Sequence, residues 1–179
     1  MAGVTLIELM MTISLVAITL AIAVPSYKNF TNANRLAGEV NALLGDMQFA
    51  RGEAIKEGQT VVICSSADGA TCSGKTTWNI GWIVFSDVNN NGVVDTGETV
   101  FRVKNGFNST DSFNADNATS AVTFNREGFA PVGNIVTITL HDSTADPQWT
   151  RCMKINIVGM LMTTRYSTPA TPTWPGPCT

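Results

Sequence analysis

Between Leu6 and Val24 the chain passes through 19 residues whose only charge is Glu8, and no other feature limits the fold so strongly. At about 1.5 Å per residue, a helix of that length reaches roughly 28 Å, close to the hydrocarbon thickness of a bilayer. The segment is therefore expected to be helical and to span a membrane. A cleaved secretory signal is the competing reading. Such a signal has a basic start, an apolar core and a small-residue cleavage site after that core. Here no Lys or Arg precedes Lys28, and an acid lies inside the apolar run. A carboxylate placed in hydrocarbon is costly unless something pairs with it, so Glu8 marks a functional position.

Beyond Pro25 the helical pattern goes on. Ala33, Leu36, Val40, Leu43, Met47, Ala50 and Ala54 recur at steps of three and four and define one apolar face. Asn34, Arg35, Glu39, Asn41, Asp46, Arg51 and Lys56 fall on the other face, and Gly58 supplies a stop. A half-apolar helix of this kind is expected to lie on a sheet. The period then shortens. Thr60–Cys64, Trp82–Ser86, Thr99–Val103, Ala121–Phe124, Ile135–Leu140 and Cys152–Val158 read as strands separated by Gly, Asn and Asp clusters. The tail from Thr168 carries Pro169, Pro172, Pro175 and Pro177 and is expected to be extended and loop-like.

Charged residues make up only 14% of the chain and the formal net charge is −3, which argues against a dedicated nucleic-acid binder. Cys64, Cys72, Cys152 and Cys178 form no CxxC, and His141 is the one histidine, so zinc spacing is absent. Disulfides in an oxidising compartment are the better reading. Four cysteines allow three connectivities, and we favour Cys64–Cys72, closing a short loop, with Cys152–Cys178 pinning the tail. Trp78, Trp82, Trp149 and Trp174 are expected to serve packing. His141-Asp142 is the only His-containing pair, and no GxSxG, HExxH or phosphate-binding glycine loop accompanies it, so no enzymatic site is expected.

Gly3-Val4-Thr5-Leu6-Ile7-Glu8-Leu9-Met10 resembles the class III signal of type IV pilins and type II secretion pseudopilins. In that superfamily a prepilin peptidase cuts after a glycine, the new N-terminus is methylated, and a glutamate five residues into the mature chain pairs with a neighbouring subunit's amine. The resemblance implies cleavage after Gly3, Val4 as the mature N-terminus, Glu8 as the pairing glutamate and Pro25 as a kink. Val4 stands where Phe is usual, and the leader Met1-Ala2-Gly3 is short and lacks basic residues. Further residues resemble the GspH/FimT group of minor pilins. These are Ala50-Arg51-Gly52-Glu53-Ala54-Ile55 with Gly58-Gln59-Thr60-Val61, the Cys64-to-Cys72 loop, and Trp78 to Phe85 followed by a hairpin from Asp87 to Glu98.

The implied fold is α+β and type IV pilin-like: a long N-terminal helix, its first half in the membrane, packed on an antiparallel β-sheet domain. Its parts would be a residual leader (1–3), a membrane and assembly helix (4–25), an amphipathic continuation (26–58) and a periplasmic β-rich domain (59–179). The implied function is that of a non-enzymatic minor pilin at the tip or priming position of a type IV pilus. The chain would be a single-pass inner-membrane protein, partnered by major and minor pilins, the prepilin peptidase and the assembly platform. A type II secretion minor pseudopilin is one alternative. A DNA-binding pilin of natural transformation is another. In DNA-binding members a C-terminal Gly-Arg-x-Arg follows a strand, but here Gly159-Met160-Leu161-Met162 puts methionine at both arginine positions. Arg151, Lys154 and Arg165 remain as candidate phosphate contacts, few for a grip that must hold at physiological salt.

No cofactor is required by this reading. Asp87-Val-Asn89-Asn-Asn91-Gly92-Val-Val-Asp95-Thr-Gly-Glu98 nevertheless fits the twelve-residue calcium-loop pattern, with oxygen ligands from Asp87, Asn89, Asn91, Asp95 and Glu98. Helices flank such loops in EF-hands, whereas strands are expected here. A hairpin loop of turn-forming residues is the other reading.

Overall fold

Residues 3–107, 110–116, 118–131, 136–144 and 149–165 are described by the computed structural model. A single helix, α1, spans Leu6–Glu57. Thr5 caps its start, accepting a hydrogen bond from the Glu8 N–H at 3.3 Å. Gly58, with φ of 67°, ends it in the left-handed conformation that glycine adopts without a Cβ clash. The chain divides into two compact units, Met1–Arg35 and Leu36–Thr179.

In the first unit the helix carries its apolar side chains on the outside. Leu6, Ile13, Ile18 and Ile22 are all more than half exposed. The three hydroxyls between Leu6 and Val24 turn back on the helix: Thr12 donates to the Leu9 carbonyl, Ser14 to Met10 and Thr19 to Leu15 and Val16. Their donors are thereby satisfied within the helix, which a hydrocarbon surrounding requires.

The second unit holds eight strands among the described residues: β1 Val61–Ser65, β2 Gly81–Ser86, β3 Val100–Asn105, β4 Ser112–Ala115, β5 Ala121–Phe124, β6 Val136–His141, β7 Arg151–Ile155 and β8 Leu161–Arg165. They form two antiparallel four-stranded sheets, ordered β3-β2-β1-β5 and β4-β6-β7-β8. Leu36, Val40, Leu43, Met47, Ala50 and Ala54 of α1 are buried as their spacing predicts, whereas Ala33 is only half-buried. They share one cluster with Val61, Ile63, Trp82 and Val84 of the first sheet and Phe113, Ile138, Leu140, Met153 and Ile155 of the second. A separate cluster of Val62, Cys64, Ile83 and Phe85 lies on the other face of β1 and β2, beneath Cys72 and Val94. Both faces of these two strands are covered, which is why they read as unbroken apolar runs.

Two expectations need correction. The strands fall into two sheets, and β4 and β8, the edges of the second, form in stretches that carry no strand pattern in the sequence. Ser112–Ala115 contains only Phe113 as a large apolar residue, and Leu161–Arg165 alternates weakly. The strand expected to run to Val158 stops at Ile155. There Asn156 and Gly159 close a turn, the Gly159 N–H donating to the Asn156 carbonyl at 2.9 Å. Ile135 and the Pro-rich tail lie outside the described residues.

Candidate functional site

The sequence nominates residues in four places, and the fold keeps them largely separate. At the chain start, Val4 and Glu8 are exposed, and Gly3 is open on all sides. Glu8 sits three residues after the capping Thr5, where a carboxylate also complements the positive end of the helix. That local role was missed in the sequence, although Thr5-Leu6-Ile7-Glu8 carries its signature. Pro25 lies inside α1 without ending it. Lacking an N–H, it deprives the Ala21 carbonyl of its usual partner. The helix is long and apolar enough to cross a membrane, and none of its apolar window is buried within the protein. Tyr27 and Phe30 then stand exposed one turn apart.

Around β1, Cys64 and Cys72 are joined, as the spacing favoured. Inside that loop Asp68 accepts hydrogen bonds from the Thr71 hydroxyl at 2.6 Å, the Thr71 N–H at 2.8 Å and the Ala70 N–H at 2.9 Å. These bonds, the Thr71 hydroxyl foremost, hold its carboxyl well below the usual carboxylate range. Cys152 is buried and disulfide-bonded, and its expected partner Cys178 lies outside the described residues.

The Asp87–Glu98 stretch connects β2 to β3 as a hairpin loop. Asp87, almost fully buried, accepts from the Asn91 and Gly92 N–H groups at 3.0 and 2.9 Å. Glu98 accepts from the Val88 and Asp95 N–H groups, and the Asn91 side chain accepts from Val93. Asp95 receives the Asn89 and Asn91 amides at 2.7 and 2.6 Å, which lower its pKa, Asn89 contributing most. Thr60 donates to Asn90, whose positive φ a turn demands. Every proposed ligand residue thus also shapes the loop. Among the described residues no group of three or more His, Cys, Asp or Glu is gathered to hold a metal.

The three candidate phosphate contacts do not share a surface. Arg151 is paired directly with Arg165 across β7 and β8, while Lys154 pairs with Met162. Strand alternation puts Lys154 on the opposite face from Arg151 and Arg165. Gly159, Met160 and Leu161 of that stretch instead border a groove of about 520 Å³ with Gln48, Arg51, Gly52 and Ile55 of α1. Arg51 Nε donates to the Gly128 carbonyl at 2.9 Å. A Cβ on Gly159 would come within 2.3 Å of that same oxygen, and φ of 73° already favours glycine there.

Two contacts have no counterpart in the sequence reading. Asp46, placed there on the polar face of α1, accepts from the buried Trp82 indole N–H at 2.8 Å and from Arg102 at 2.7 Å. Arg102 in turn lies 3.7 Å from the centre of the Phe49 ring. No periodicity announces such a link between residues 36 and 56 positions apart. His141 meets the Thr150 hydroxyl at 2.9 Å through Nδ1.

The fold, the long apolar helix and the disulfide loop meet a match to the family model of type II transport protein GspH over residues 39–159, about two-thirds of the chain. The chain belongs to the GspH family. Among solved structures, GspH-like architecture is shared with the type IV minor pilin FimU of Pseudomonas aeruginosa. One crystal form gives 20% identity and a TM-score of 0.56, covering 77% of this chain and 92% of that one. A second gives 21% and 0.53, over 73% and 91%. The minor pseudopilin EpsH of the Vibrio cholerae Type 2 Secretion System matches at 10% identity and a TM-score of 0.51, over 71% and 94%. No curated protein matches the sequence. The α+β pilin-like fold expected from the N-terminal motif is therefore the fold observed, and the GspH assignment agrees with the motifs around residues 50–103.

Proposed function

We propose that this GspH-family protein is a minor pilin of a type IV pilus, anchored in the inner membrane with its β-rich unit in the periplasm, and that it acts by assembly and not by catalysis. The observation that carries the reading is the first unit: a capped helix, apolar and exposed from Leu6 to Val24, whose one ionisable group is Glu8. Such a surface is stable in lipid or against other apolar helices, and in both settings an unpaired carboxylate is unfavourable. Cleavage after Gly3 would free the Val4 amine, and Glu8 of one subunit would pair with that amine on the next. Correct register then removes the cost that every other register retains. Processing by the prepilin peptidase, with methylation of Val4, would precede extraction from the membrane by the assembly platform, alongside major and minor pilins.

The test is the intact mass and N-terminal sequence of the protein recovered from membranes of cells with and without the peptidase. A chain starting at methylated Val4 only when the peptidase is present is expected. An uncut chain from the full-length gene refutes the pilin reading and leaves a simple anchor. Glu8→Gln separates the two roles of the glutamate, because glutamine still suits the helix start while the charge is gone. Membrane insertion should persist and incorporation into fibres should fall.

A type II secretion pseudopilus is the second reading, favoured by the name of the matched family. The higher identity to FimU than to EpsH supports the pilus. Loss of pili or loss of secretion on deleting the gene decides between them. DNA uptake draws on Arg151 and Arg165 only, since Lys154 faces away. An electrophoretic shift that weakens steeply with salt would restore it.

A further inference from the structure

We propose that the groove between the last turns of α1 and the start of β8 binds the C-terminal carboxylate of an extended peptide ending in a large aliphatic residue, with Arg51 as the carboxylate clamp. The site lies within the second unit and does not depend on the assembly reading.

Gln48, Arg51, Gly52 and Ile55 form one wall of this groove of about 520 Å³, and Gly159, Met160 and Leu161 form the other. Among the described residues no acidic side chain lines it. Ile55 and Met160 are each more than half exposed, so apolar surface meets solvent on both walls. A Cβ at Gly52 would meet nothing within 4 Å, which leaves the helix backbone bare and open to close approach by a second chain. Gln48 and Ile55 stand about 10 Å apart along the helix axis, room for about three extended residues.

Arg51 supplies the charge. Its Nε donates to the Gly128 carbonyl at 2.9 Å, which fixes the guanidinium. A Cβ on Gly159 would lie 3.1 Å from the same nitrogen, so glycine there lets the guanidinium rest against the loop. No other hydrogen bond or ion pair joins Arg51 to a described residue, and its two Nη atoms remain as donors. β8 supplies the strand. It is an edge of its sheet, and Leu161, its first residue, lines the groove. On the side away from β7 its backbone groups pair with no described residue.

The ligand follows from this arrangement. One unpaired cation calls for one negative charge, and the two Nη atoms form a fork that the two oxygens of a carboxylate satisfy. The apolar walls at Ile55, Met160 and Leu161 receive an aliphatic side chain, and the open edge receives the backbone that carries it by strand addition. A nucleic-acid backbone needs several cations in register and gains nothing from apolar walls.

Isothermal calorimetry on the full chain in a neutral maltoside detergent tests the site, with an acetylated Ser-Thr-Ser-Thr-Leu peptide as probe. Saturable heat with a Kd of about 1 mM or tighter is expected. The same peptide with a C-terminal amide should bind about tenfold or more weakly, the worth of one charge-assisted fork. Arg51→Gln should bring the acid down to the level of the amide and erase the difference between them. Met160→Asp, at a half-exposed position, should weaken the acid more than the amide. Lys104→Gln, on β3 of the first sheet, should leave binding unchanged, and circular dichroism checks that each variant is folded. N-acetyl-leucine keeps the carboxylate and the side chain without a strand, and should bind about tenfold more weakly than the peptide. Heat no larger than dilution, equal affinity for acid and amide, or an acid–amide difference that persists in folded Arg51→Gln overturns the site. N-acetyl-leucine binding as tightly as the peptide overturns the strand addition.

Discussion

Replacing Asp46 with alanine removes one carboxylate from two partners of different kinds, and the loss can be worked out from each. The Trp82 indole N–H, on a fully buried ring, loses its acceptor at 2.8 Å. A buried donor orphaned in this way costs about 2 kcal/mol. The ion pair to Arg102 is shorter, at 2.7 Å, but the arginine side chain is 47% exposed, so solvent screening reduces it to about 0.5 kcal/mol. The Asp46→Ala variant should therefore lose about 2.5 kcal/mol, or about 5–10 °C in Tm for a unit of this size. Arg102→Gln leaves the indole bond intact and removes the screened pair and the contact with Phe49, so it should cost only about 1 kcal/mol. Urea unfolding of the full chain in neutral detergent, followed by tryptophan fluorescence, measures both. A cost below 0.5 kcal/mol for Asp46→Ala (about the worth of a surface pair), or Arg102→Gln as damaging as Asp46→Ala, would refute the weighting of buried donor over surface pair.

Three further outcomes follow from local geometry. Replacing Cys64 and Cys72 by serine opens a loop of sequence separation 8, and chain entropy puts the loss at about 2.6 kcal/mol, readable as a lower urea midpoint. Asp68 and Asp95 have folded pKa values below their unfolded one, so their stabilisation is present above about pH 4 and disappears as pH falls further. A urea midpoint that declines below pH 4, less steeply in Asp68→Asn, is the expected profile; identical profiles for the two proteins would exclude Asp68. The Asp87–Glu98 loop closes on its own N–H donors, so its stability should be the same in EDTA and in millimolar calcium. A Tm that rises by several degrees with calcium, and does not in Asp87→Asn, would make the loop a cation site instead.

The sequence by itself determined the elements whose causes are local or periodic. The apolar run with its single acid announced the first half of α1, because a helix satisfies every backbone group within such a segment. The three-and-four spacing named all six buried residues of the second half, from Leu36 to Ala54. The nine-residue cysteine loop and the Asp-Asn-Gly turn of the hairpin were legible for the same reason, since short separations leave few alternatives. The carriers of family identity were local too.

What only the tertiary structure decided involves partners far apart in the chain. The width of the second sheet rests on β4 finding β6 and β8 finding β7, and four or five residues with one or two apolar side chains carry no period strong enough to announce that. Asp46 looked like a solvated position until Trp82 and Arg102 came to it. Arg151, Lys154 and Arg165 read as scattered candidates for one modest patch, and alternation on adjacent strands set two of them side by side and turned the third away. A sequence records which charges are near in number; pairing register decides which are near in space, and that register is fixed by the apolar face each strand must bury.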